Sequence, residues 1–562
     1  MDDVDAVQAQ IARNMLNSGD WVIARLDGVP YLEKSPLVYW LMAISYKVFG
    51  VHDWAARIPV ALAAVLLAWV TCRYGRWAFK ARAGYYAGLV LATCVGLFLF
   101  TRILIPDVML TLTTCLAFWA FQRATDPDES QPKHWATALA ASLGVGVMLK
   151  GLIALVVPGG GIFVYLALTK QLFSRDLWKR LHVISGAAIF LFITAPWHIL
   201  ATRRMPPYLD FTMHSGPGEY RGFFWFYFMN EHVLRFLNLR YPRDYNTVPR
   251  PAFWLLHLVW LFPWSVYFPA VVRQSFKPVD RSGRTRLLAL CWALFLLVFF
   301  TFSTTQEYYS MPIYPALALL LGSAMTAEDS WTRWGTHVLG VITALCALAI
   351  ATILYLVRGV PALGDISNAL QQHPGTYTLS MSHMGDLTMQ SFAYLRTPLV
   401  MAGFAFLVGA IACWTLRGRR VYLALALMMV LFIHASRVAL VIFDPYLASR
   451  PLAAALERAP QGELIINGPY YGFSSVFFYT GRDALIWNGR RNNLEYGSYA
   501  PGSPSVFIDD VQFQSLWSSG NRYFVLSEQS KLKHLEDATT SSKLFLVAES
   551  GTKALYSNQP VN

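Results

Sequence analysis

Long apolar runs alternate with short polar loops over most of this chain. Twelve of these runs approach the roughly 20 apolar residues that a membrane-spanning helix needs. They lie near 58–78, 84–101, 108–122, 134–149, 152–169, 182–200, 253–272, 287–303, 309–326, 335–357, 398–416 and 421–442. The pattern predicts an α-helical polytopic membrane protein with about twelve spans.

The pattern differs in residues 1–57. Ile11 and Met15 belong to one apolar stripe at helical spacing, and Leu37, Leu41 and Ile44 belong to another. Polar residues separate the apolar ones, so both stripes predict amphipathic helices that lie in the membrane interface. We therefore expect an external loop with interfacial helices that carry active-site residues, followed by a transmembrane domain over 58–442 with external loops at 201–252 and 358–397.

Residues 443–562 have apolar runs of strand length. The runs are Leu464–Ile466, Ala484–Trp487, Val506–Ile508, Tyr523–Leu526 and Leu544–Ala548. Polar helical stretches, such as 451–459 and 527–537, separate them. This alternation predicts a small α/β domain on the outer side of the membrane.

The distribution of Lys and Arg orients the helices. Four short loops, near 73–82, 170–180, 273–286 and 417–420, are rich in basic residues. Basic loops are typical of the cytoplasmic side, which places the remaining loops and the C-terminal domain outside. The same topology puts residue 1 outside with no span before it. We therefore expect a first helix upstream, which would make thirteen spans.

Composition narrows the class of protein. The chain has 562 residues, of which 55% are hydrophobic and only 14% are charged. These values exclude a disordered protein and an ordinary soluble enzyme. The net charge of +13 fits basic cytoplasmic loops, and there is no soluble basic module for nucleic acid. The six cysteines fall in apolar stretches without CxxC spacing and are interpreted as small buried residues.

Ionisable residues concentrate at the outer ends of the spans and in the outer loops. A transporter more often places such charges near the membrane midplane. Charges at one surface instead suit chemistry on an amphiphile such as a polyprenyl phosphate. Candidate phosphate-binding cations are Lys34, Arg57, Arg102 and Arg235. Candidate carboxylates that orient or deprotonate an acceptor are Asp3, Asp5 and Asp107.

Other outer residues are candidates for binding substrate or a cation. Glu33 and His232 are candidate ligands of a divalent metal, which would be the cofactor. Glu231 is a candidate substrate contact or a partner that orients Arg235. Tyr308 and Tyr309 are either substrate contacts or aromatics of the membrane interface.

Several motifs together resemble a known superfamily. They are the acidic start DDVD, YLEKSPL at 31–37, APWH at 195–198, NEHVLRF at 230–236 and QEYYSMPIYP at 306–315. The combination resembles the GT-C membrane glycosyltransferases that use polyprenyl-phosphate sugars, in particular the aminoarabinose lipid A transferases and the protein O-mannosyltransferases. The resemblance covers roughly residues 1–330.

The resemblance implies roles for individual residues. The acidic loop supplies the catalytic carboxylate, which is Asp3 or Asp5 here because an ungapped match places Val4 at the family's Asp. Asp107 corresponds to a second acid, and Lys34, next to Glu33, corresponds to the lysine that binds the lipid phosphate. The lipid A transferases have a Lys-rich segment where this chain has 303–309, so the resemblance implies the general activity and not one sugar or acceptor.

We therefore expect an inverting glycosyltransferase of the bacterial inner membrane. It would take a sugar from an undecaprenyl monophosphate carrier on the periplasmic face and pass it to a lipid A-like lipid or a protein. Two alternatives stay open: a flippase or transporter of polyprenyl-linked sugars, and a non-catalytic assembly subunit. The expected partners are the donor, the acceptor and the bilayer, with no nucleic acid.

Overall fold

A computed structural model describes residues 1–243, 247–371, 382–539 and 544–561. The predicted external loops 201–252 and 358–397 lie partly outside the described residues, at 244–246 and 372–381. Within the described ranges the chain is mainly helical, as the apolar pattern predicts. One mixed sheet follows the last long helix.

The first segment contains two helices at the predicted positions. They are α1 (Asp3–Ser18) and α2 (Leu37–Phe49), separated by a hairpin of β1 (Arg25–Leu26) and β2 (Val29–Pro30). The Asp2 carboxylate accepts a hydrogen bond from the Asp5 amide at 2.9 Å and caps α1. Gly19, in the left-handed region at φ 70°, ends it. Helix α1 packs against α2 and the C-terminal domain.

Helices account for most of the described residues between 53 and 442. In order they are α3 (Asp53–Ala78), α4 (Ala81–Thr93), α5 (Val95–Thr101), α6 (Asp107–Thr125), α7 (Pro132–Lys150), α8 (Ile153–Leu168), α9 (Arg175–Arg180), α10 (Val183–Arg204), α11 (Gly222–Phe224), a π-helix (Trp225–Leu234), α12 (Arg250–Leu255), α13 (His257–Trp260), α14 (Phe268–Val272), α15 (Arg281–Thr301), α16 (Tyr314–Met325), α17 (Ser330–Leu356), α18 (Ser391–Tyr394), α19 (Arg396–Thr415) and α20 (Arg419–Ile442). Every predicted span coincides with one of these helices or with a broken pair of them.

Six of the helices in the described residues are long and apolar enough to cross a membrane: α3, α10, α15, α17, α19 and α20. Two further candidates are broken pairs. Helices α4 and α5 are bent by 49°, and the 250–260 and 264–272 segments are bent by 98°. The chain is therefore a multi-pass membrane protein, whereas the expected total of twelve or thirteen spans stays a prediction. The total is not established because some predicted spans correspond to short helices, such as α8 with 16 residues, and a span needs about 20.

The basic loops meet at one end of the helices. Arg281 Nε lies 2.8 Å from Asp126 Oδ2, and Arg180 donates to the Asp126 carbonyl at 2.8 Å. Arg82 pairs with Glu328 at 3.1 Å at the same end. We call this end the basic face, and the opposite end, where α6 begins and α7 ends, the site face. Two of the loops that the charge pattern assigned to one side also contact each other, because Arg281 stacks over Trp77 and Ser282 donates to the Ala78 carbonyl at 3.1 Å.

A six-stranded sheet forms the C-terminal part, in the order β5-β4-β3-β6-β8-β7. The strands are β3 (Glu463–Asn467), β4 (Leu485–Trp487), β5 (Phe507–Ile508), β6 (Tyr523–Glu528), β7 (Phe545–Ser550) and β8 (Lys553–Ser557). The first four are mutually parallel, and β8 is antiparallel to both β6 and β7. The accompanying helices are α21 (Asp444–Leu447), α22 (Arg450–Arg458), α23 (Ser474–Thr480), α24 (Asn492–Ser498), α25 (Asp510–Trp517) and α26 (Leu532–Ala538).

The sheet contains a strand at each of the five predicted positions and one more, β8. Strand β8 was not predicted because its run, KALYS, is short and begins with a lysine. Helices α23 and α25 were also missed, because aromatic residues such as Phe477 and Phe513 fill their buried faces. Aromatic residues favour strands by propensity, and packing overrides that preference here.

Candidate active site

A cavity of about 400 Å³ lies at the site face among the membrane helices. Its polar lining comes from the loop before α2, from the ends of α6 and α7, from the π-helix and from the segment before α16. These residues include Glu33, Lys34, Asp107, Lys150, Glu231, His232, Arg235, Tyr308 and Tyr309. The apolar lining includes Leu110, Ile153, Val156, Phe236, Leu296, Phe299 and Phe300. The cavity thus has both charged and hydrocarbon walls.

Glu33 and Lys34 lie in the turn between the β1–β2 hairpin and α2. Their side chains form an ion pair, and Tyr31 donates a hydrogen bond to Glu33 Oε2 at 2.9 Å. Burial favours a neutral Glu33, but Lys34, Arg240 and Arg235 outweigh it and hold its pKa well below the usual range. Burial likewise opposes the charge on Lys34, yet Glu33 raises its pKa. Both residues stay charged at neutral pH.

The π-helix carries Glu231 and His232 and ends one residue before Arg235. Wide helical turns of this kind are rare and frequently mark functional sites. Arg235 Nη1 lies 2.6 Å from Glu231 Oε2 and 3.8 Å from Glu33 Oε1. Its Nη2 donates to the Tyr309 hydroxyl at 2.9 Å. Arg235 therefore joins the π-helix to the Glu33 loop and to Tyr309.

Arg240 completes this charge cluster, although it was not among the candidate site residues predicted from the sequence. It is 4% exposed, pairs with Glu231 and lies 3.9 Å from Glu33 Oε2. Its sequence context is an outer loop with several other arginines. Only its burial beside two carboxylates distinguishes it, and that is visible only in three dimensions.

Asp107 and Lys150 form the second charged pair of the cavity. Asp107 begins α6 and Lys150 ends α7, so the close packing of these two helices brings the residues together. The Lys150 ammonium also lies 5.0 Å from the ring centroids of both Tyr308 and Tyr309. The two tyrosines therefore line the site and do not belong to an outward aromatic belt.

His232 does not fit a metal site with Glu33. Its Nδ1 contacts the Tyr227 carbonyl at 2.6 Å, and its Nε2 accepts the Leu152 amide hydrogen at 3.0 Å. Both ring nitrogens are thus used, and burial lowers the pKa of His232 and keeps it neutral. No group of three or more His, Cys, Asp or Glu suited to a metal occurs among the described residues. We assign no role to a metal.

Asp5, Arg57 and Arg102 lie behind the cavity wall and do not line it. Asp5 Oδ2 is 2.5 Å from Arg57 Nη2, and Asp5 Oδ1 accepts the Leu104 amide hydrogen at 2.8 Å. Arg57 also donates to the Arg102 carbonyl. Burial and the neighbouring Asp2 raise the pKa of Asp5 to about 6. This cluster holds the loop at Arg102–Leu104 in place, just before Asp107.

Asp3 does not line the cavity either and is buried against the C-terminal domain. Its carboxylate is 2.6 Å from Lys553 Nζ. It also accepts hydrogen bonds from Ser449 Oγ at 2.8 Å and from the Ser475 amide at 2.7 Å. Of the three candidate carboxylates, only Asp107 is brought into the cavity with Lys34 and Arg235.

Each cation of the cavity lining has a carboxylate near it before any ligand binds, and Arg240 adds a fourth cation next to Glu231 and Glu33. Three carboxylates, Glu33, Asp107 and Glu231, face three cations, Lys34, Lys150 and Arg235. A phosphate could displace a carboxylate from Lys34 or Arg235, since both cations have the geometry to donate to anionic oxygens. The apolar walls could accept a hydrocarbon chain next to it.

The amino-acid sequence is similar to one known family over part of its length and to individual relatives over more of it. Residues 33–200 match the family described as dolichyl-phosphate-mannose-protein mannosyltransferase. Two relatives are named undecaprenyl phosphate-alpha-4-amino-4-deoxy-L-arabinose arabinosyl transferase. The protein from Enterobacter sp. (strain 638) is 25% identical over 61% of this chain and 59% of its own length. That from Erwinia tasmaniensis is 24% identical over 92% of this chain and 86% of its own length.

Crystal structures of ArnT from Cupriavidus metallidurans share the fold. The apo structure has a TM-score of 0.76 at 23% identity and covers 100% of this chain and 93% of that one. The structure bound to undecaprenyl phosphate has a TM-score of 0.77 with similar coverage. This chain thus shares the fold of ArnT and is similar in sequence to the aminoarabinose transferases and, over residues 33–200, to the protein mannosyltransferase family.

Proposed function

We propose that this protein transfers a glycosyl group from an undecaprenyl phosphate carrier to an acceptor at the periplasmic face of the inner membrane. One observation carries the proposal: a single cavity joins a charged head region, with Lys34 and Arg235, to hydrocarbon walls. A soluble sugar phosphate would not need the apolar walls, and a plain lipid would not need the cations. The names of the relatives from Enterobacter and Erwinia support this donor class.

In the proposed reaction the bond between the anomeric carbon and the phosphate oxygen breaks as an acceptor oxygen bonds to that carbon. The electron pair leaves with the phosphate, and Lys34 and Arg235 stabilise its growing charge. The acceptor attacks from the face opposite the phosphate, so the configuration inverts. An acceptor hydroxyl would give its proton to Asp107, whereas an ionised acceptor needs no base.

The proposal changes the roles expected of the other acids and arginines. Asp107 replaces Asp3 and Asp5 as the acid that contacts the acceptor, because it alone of the three lines the cavity. Arg57 holds Asp5 and the Arg102 carbonyl. We therefore assign Arg57 and Arg102 no contact with the donor phosphate. Glu231 holds Arg235 and Arg240 in place.

Turnover by the purified protein in lipid tests the proposal. Undecaprenyl-phosphate sugars with a radiolabelled sugar, including the aminoarabinose form, are incubated with the protein and an extract of outer-membrane lipids and proteins. We expect release of undecaprenyl phosphate and a labelled acceptor. Lys34→Ala should raise the KM for the donor at least about tenfold, since a charged hydrogen bond to phosphate contributes about 1.5–3 kcal/mol.

Lys47→Ala is the matched control, because Lys47 lies on α2 but is not part of the cavity lining. Saturable donor binding without release of undecaprenyl phosphate, for every sugar tried, would contradict the proposal and favour a transporter or an assembly subunit. Donor movement across sealed vesicles without chemistry would identify the transporter.

A further inference from the structure

One ion pair joins α1 to the C-terminal sheet. Asp3, near the start of the chain, meets Lys553 of β8, and their side chains are only 6% and 14% exposed. Every oxygen of the Asp3 carboxylate has a partner: Lys553 and Ser449 contact Oδ2, and the Ser475 amide contacts Oδ1. The carboxylate therefore points into the C-terminal domain, and both of its oxygens are already hydrogen-bonded there.

Lys553 is equally committed to this junction. Beyond Asp3, its ammonium donates to the Gly472 carbonyl at 2.7 Å and to Ser449 Oγ at 3.3 Å. An ammonium has three N–H groups, and three acceptors use all of them. The pair thus ties α1 to β8, to the start of α22 and to the segment before α23.

Helix α1 in turn supports two walls of the cavity. Asp5, half a turn after Asp3, holds the Leu104 amide at 2.8 Å, three residues before Asp107. Gln8 accepts a hydrogen bond from the Tyr39 hydroxyl at 2.7 Å, on the helix that follows Lys34. A shift of α1 would therefore move both the acid and the phosphate-binding lysine.

We infer that Asp3 and Lys553 are a positioning pair, through which the C-terminal domain holds α1 and thereby sets the separation of Asp107 and Lys34. The inference rests on the proposed function, because it assigns a task to the C-terminal domain in that reaction. It makes Asp3 a positioning residue and not a catalytic one, and it makes the catalytic site depend on a lysine more than 400 residues away along the chain.

The energetics of buried ion pairs provide the test. Removing one partner leaves an uncompensated buried charge and is strongly destabilising, whereas removing both is often neutral. In Lys553→Met the buried Asp3 carboxylate has lost its cation, and α1 should detach from the sheet. In Asp3→Asn/Lys553→Met no charge remains, and the amide of Asn can still accept from Ser475 and donate to Ser449.

We expect kcat to fall at least about tenfold in Lys553→Met and to recover to within about threefold of wild type in the double variant. Lys533→Met is the matched control, because Lys533 is an exposed lysine of the same domain. If Asp3 were catalytic, the double variant would stay as inactive as Asp3→Asn. If the pair had no positioning role, the folded fraction of Lys553→Met would keep the wild-type kcat.

A second measurement does not depend on turnover. Hydrogen exchange of the full chain in nanodiscs should be faster over residues 6–14 in Lys553→Met and close to wild type in the double variant. Unchanged exchange in Lys553→Met would overturn the inference even if the enzyme assay were uninformative. Faster exchange together with an inactive wild type would instead contradict the proposed function alone.

Discussion

Asp107 is the acid on which the proposed chemistry depends, and its two oxygens differ. Oδ1 pairs with Lys150, whereas Oδ2 is buried and has no hydrogen-bond partner among the described residues. A buried carboxylate oxygen without a partner is costly and needs an explanation, of which a catalytic role is one. Oδ2 is therefore the oxygen that we expect to take the hydrogen from the hydroxyl group of the glycosyl acceptor.

Asp107→Asn should lower kcat by about 10²–10⁴-fold, the usual contribution of a positioned general base. Donor binding should change by less than about twofold, because the phosphate-binding cations are intact. Asp126→Asn is the matched control: Asp126 ends the same helix, is also buried, and pairs with Arg281 at the basic face. Equal losses in both variants would indicate a folding defect instead of lost catalysis.

Asp27 is a buried acid with an effect on stability. It lies in the turn of the β1–β2 hairpin, is 5% exposed, and its Oδ2 has no partner among the described residues. Burial, together with the nearby Asp483, raises its pKa from 3.8 to about 8. Because the folded pKa is the higher one, the folded state binds the proton more tightly than the unfolded state. The stability contributed by the protonated form is full below pH 4 and is lost as the pH rises through about 8.

Asp27→Asn should therefore stabilise the protein more at pH 9 than at pH 5, by about 1–3 kcal/mol. Asparagine also tolerates the positive φ of 51° at this position. Thermal unfolding of the purified protein at both pH values measures the difference. A variant that gains as much stability at pH 5 as at pH 9 would show that the effect does not come from ionisation.

Some of the residues that line the cavity could be predicted from the sequence, and others could not be told apart. The sequence identified Glu33, Lys34, Asp107 and Arg235, because ionisable residues at the ends of apolar runs are unusual. It could not separate Asp3 from Asp107, since each is an acid near a helix start. Their difference depends on which element packs against each, and for Asp3 that element is a strand at the far end of the chain.

At the scale of elements, the turn between α7 and α8 sets the position of the π-helix. Gly151 has φ 72° and ψ −151°, a region essentially restricted to glycine. A β-carbon there would lie 2.2 Å from His232 Nε2. The next amide, from Leu152, is the one that His232 accepts. The turn and the π-helix therefore fit only without a side chain at 151.

Gly151→Ala should destabilise the protein by about 1–3 kcal/mol from backbone strain alone, and by more if His232 must move. It should also weaken donor binding, because His232 shares the π-helix with Glu231. Gly159→Ala, in the adjacent α8 with open space around it, should be neutral or slightly stabilising. Thermal unfolding and donor titration compare the two; a stable, tightly binding Gly151→Ala would refute the constraint.

Periodicity predicted most elements because burial on one side or on all sides leaves a clear pattern. The helices α1 and α2 were predicted from apolar stripes alone. Breaks within a helical run were not predicted. The 98° bend between the 250–260 and 264–272 segments, for example, falls inside one continuous apolar run. Hydropathy reports how apolar a stretch is, whereas the direction of the chain depends on local packing.

At the scale of the whole molecule, the separation into a basic face and a site face defines orientation. We propose that the basic face is cytoplasmic, since its loops carry most of the excess Lys and Arg. Cysteine labelling tests this in a variant without the native cysteines. Glu219→Cys, in the loop at the site face, should react with an impermeant maleimide in spheroplasts.

Asp128→Cys, exposed at the basic face, should react only after the membrane is opened. Both side chains are well exposed, at 46% and 80%, so accessibility to the reagent is comparable. Labelling in the reverse order would place the catalytic site in the cytoplasm and exclude a periplasmic acceptor.

The fold class and the overall arrangement could be predicted because membrane helices and basic loops leave strong signals in composition. The resemblance to the superfamily was likewise carried by short motifs, such as YLEKSPL, around charged residues. The docking of the C-terminal domain could not be predicted, because it depends on pairs such as Asp3 and Lys553 that no local pattern connects.

The pairing of cations with carboxylates in the cavity has a kinetic consequence. Each lining cation already has a carboxylate near it, so a ligand anion must replace an existing partner. Such an exchange contributes less binding free energy than filling an empty positive site would. The original ion pairs form again when the ligand dissociates. The spent carrier should therefore dissociate quickly, and ionic strength should affect its affinity only slightly. A membrane enzyme whose product stays dissolved in the same bilayer would otherwise remain occupied by it.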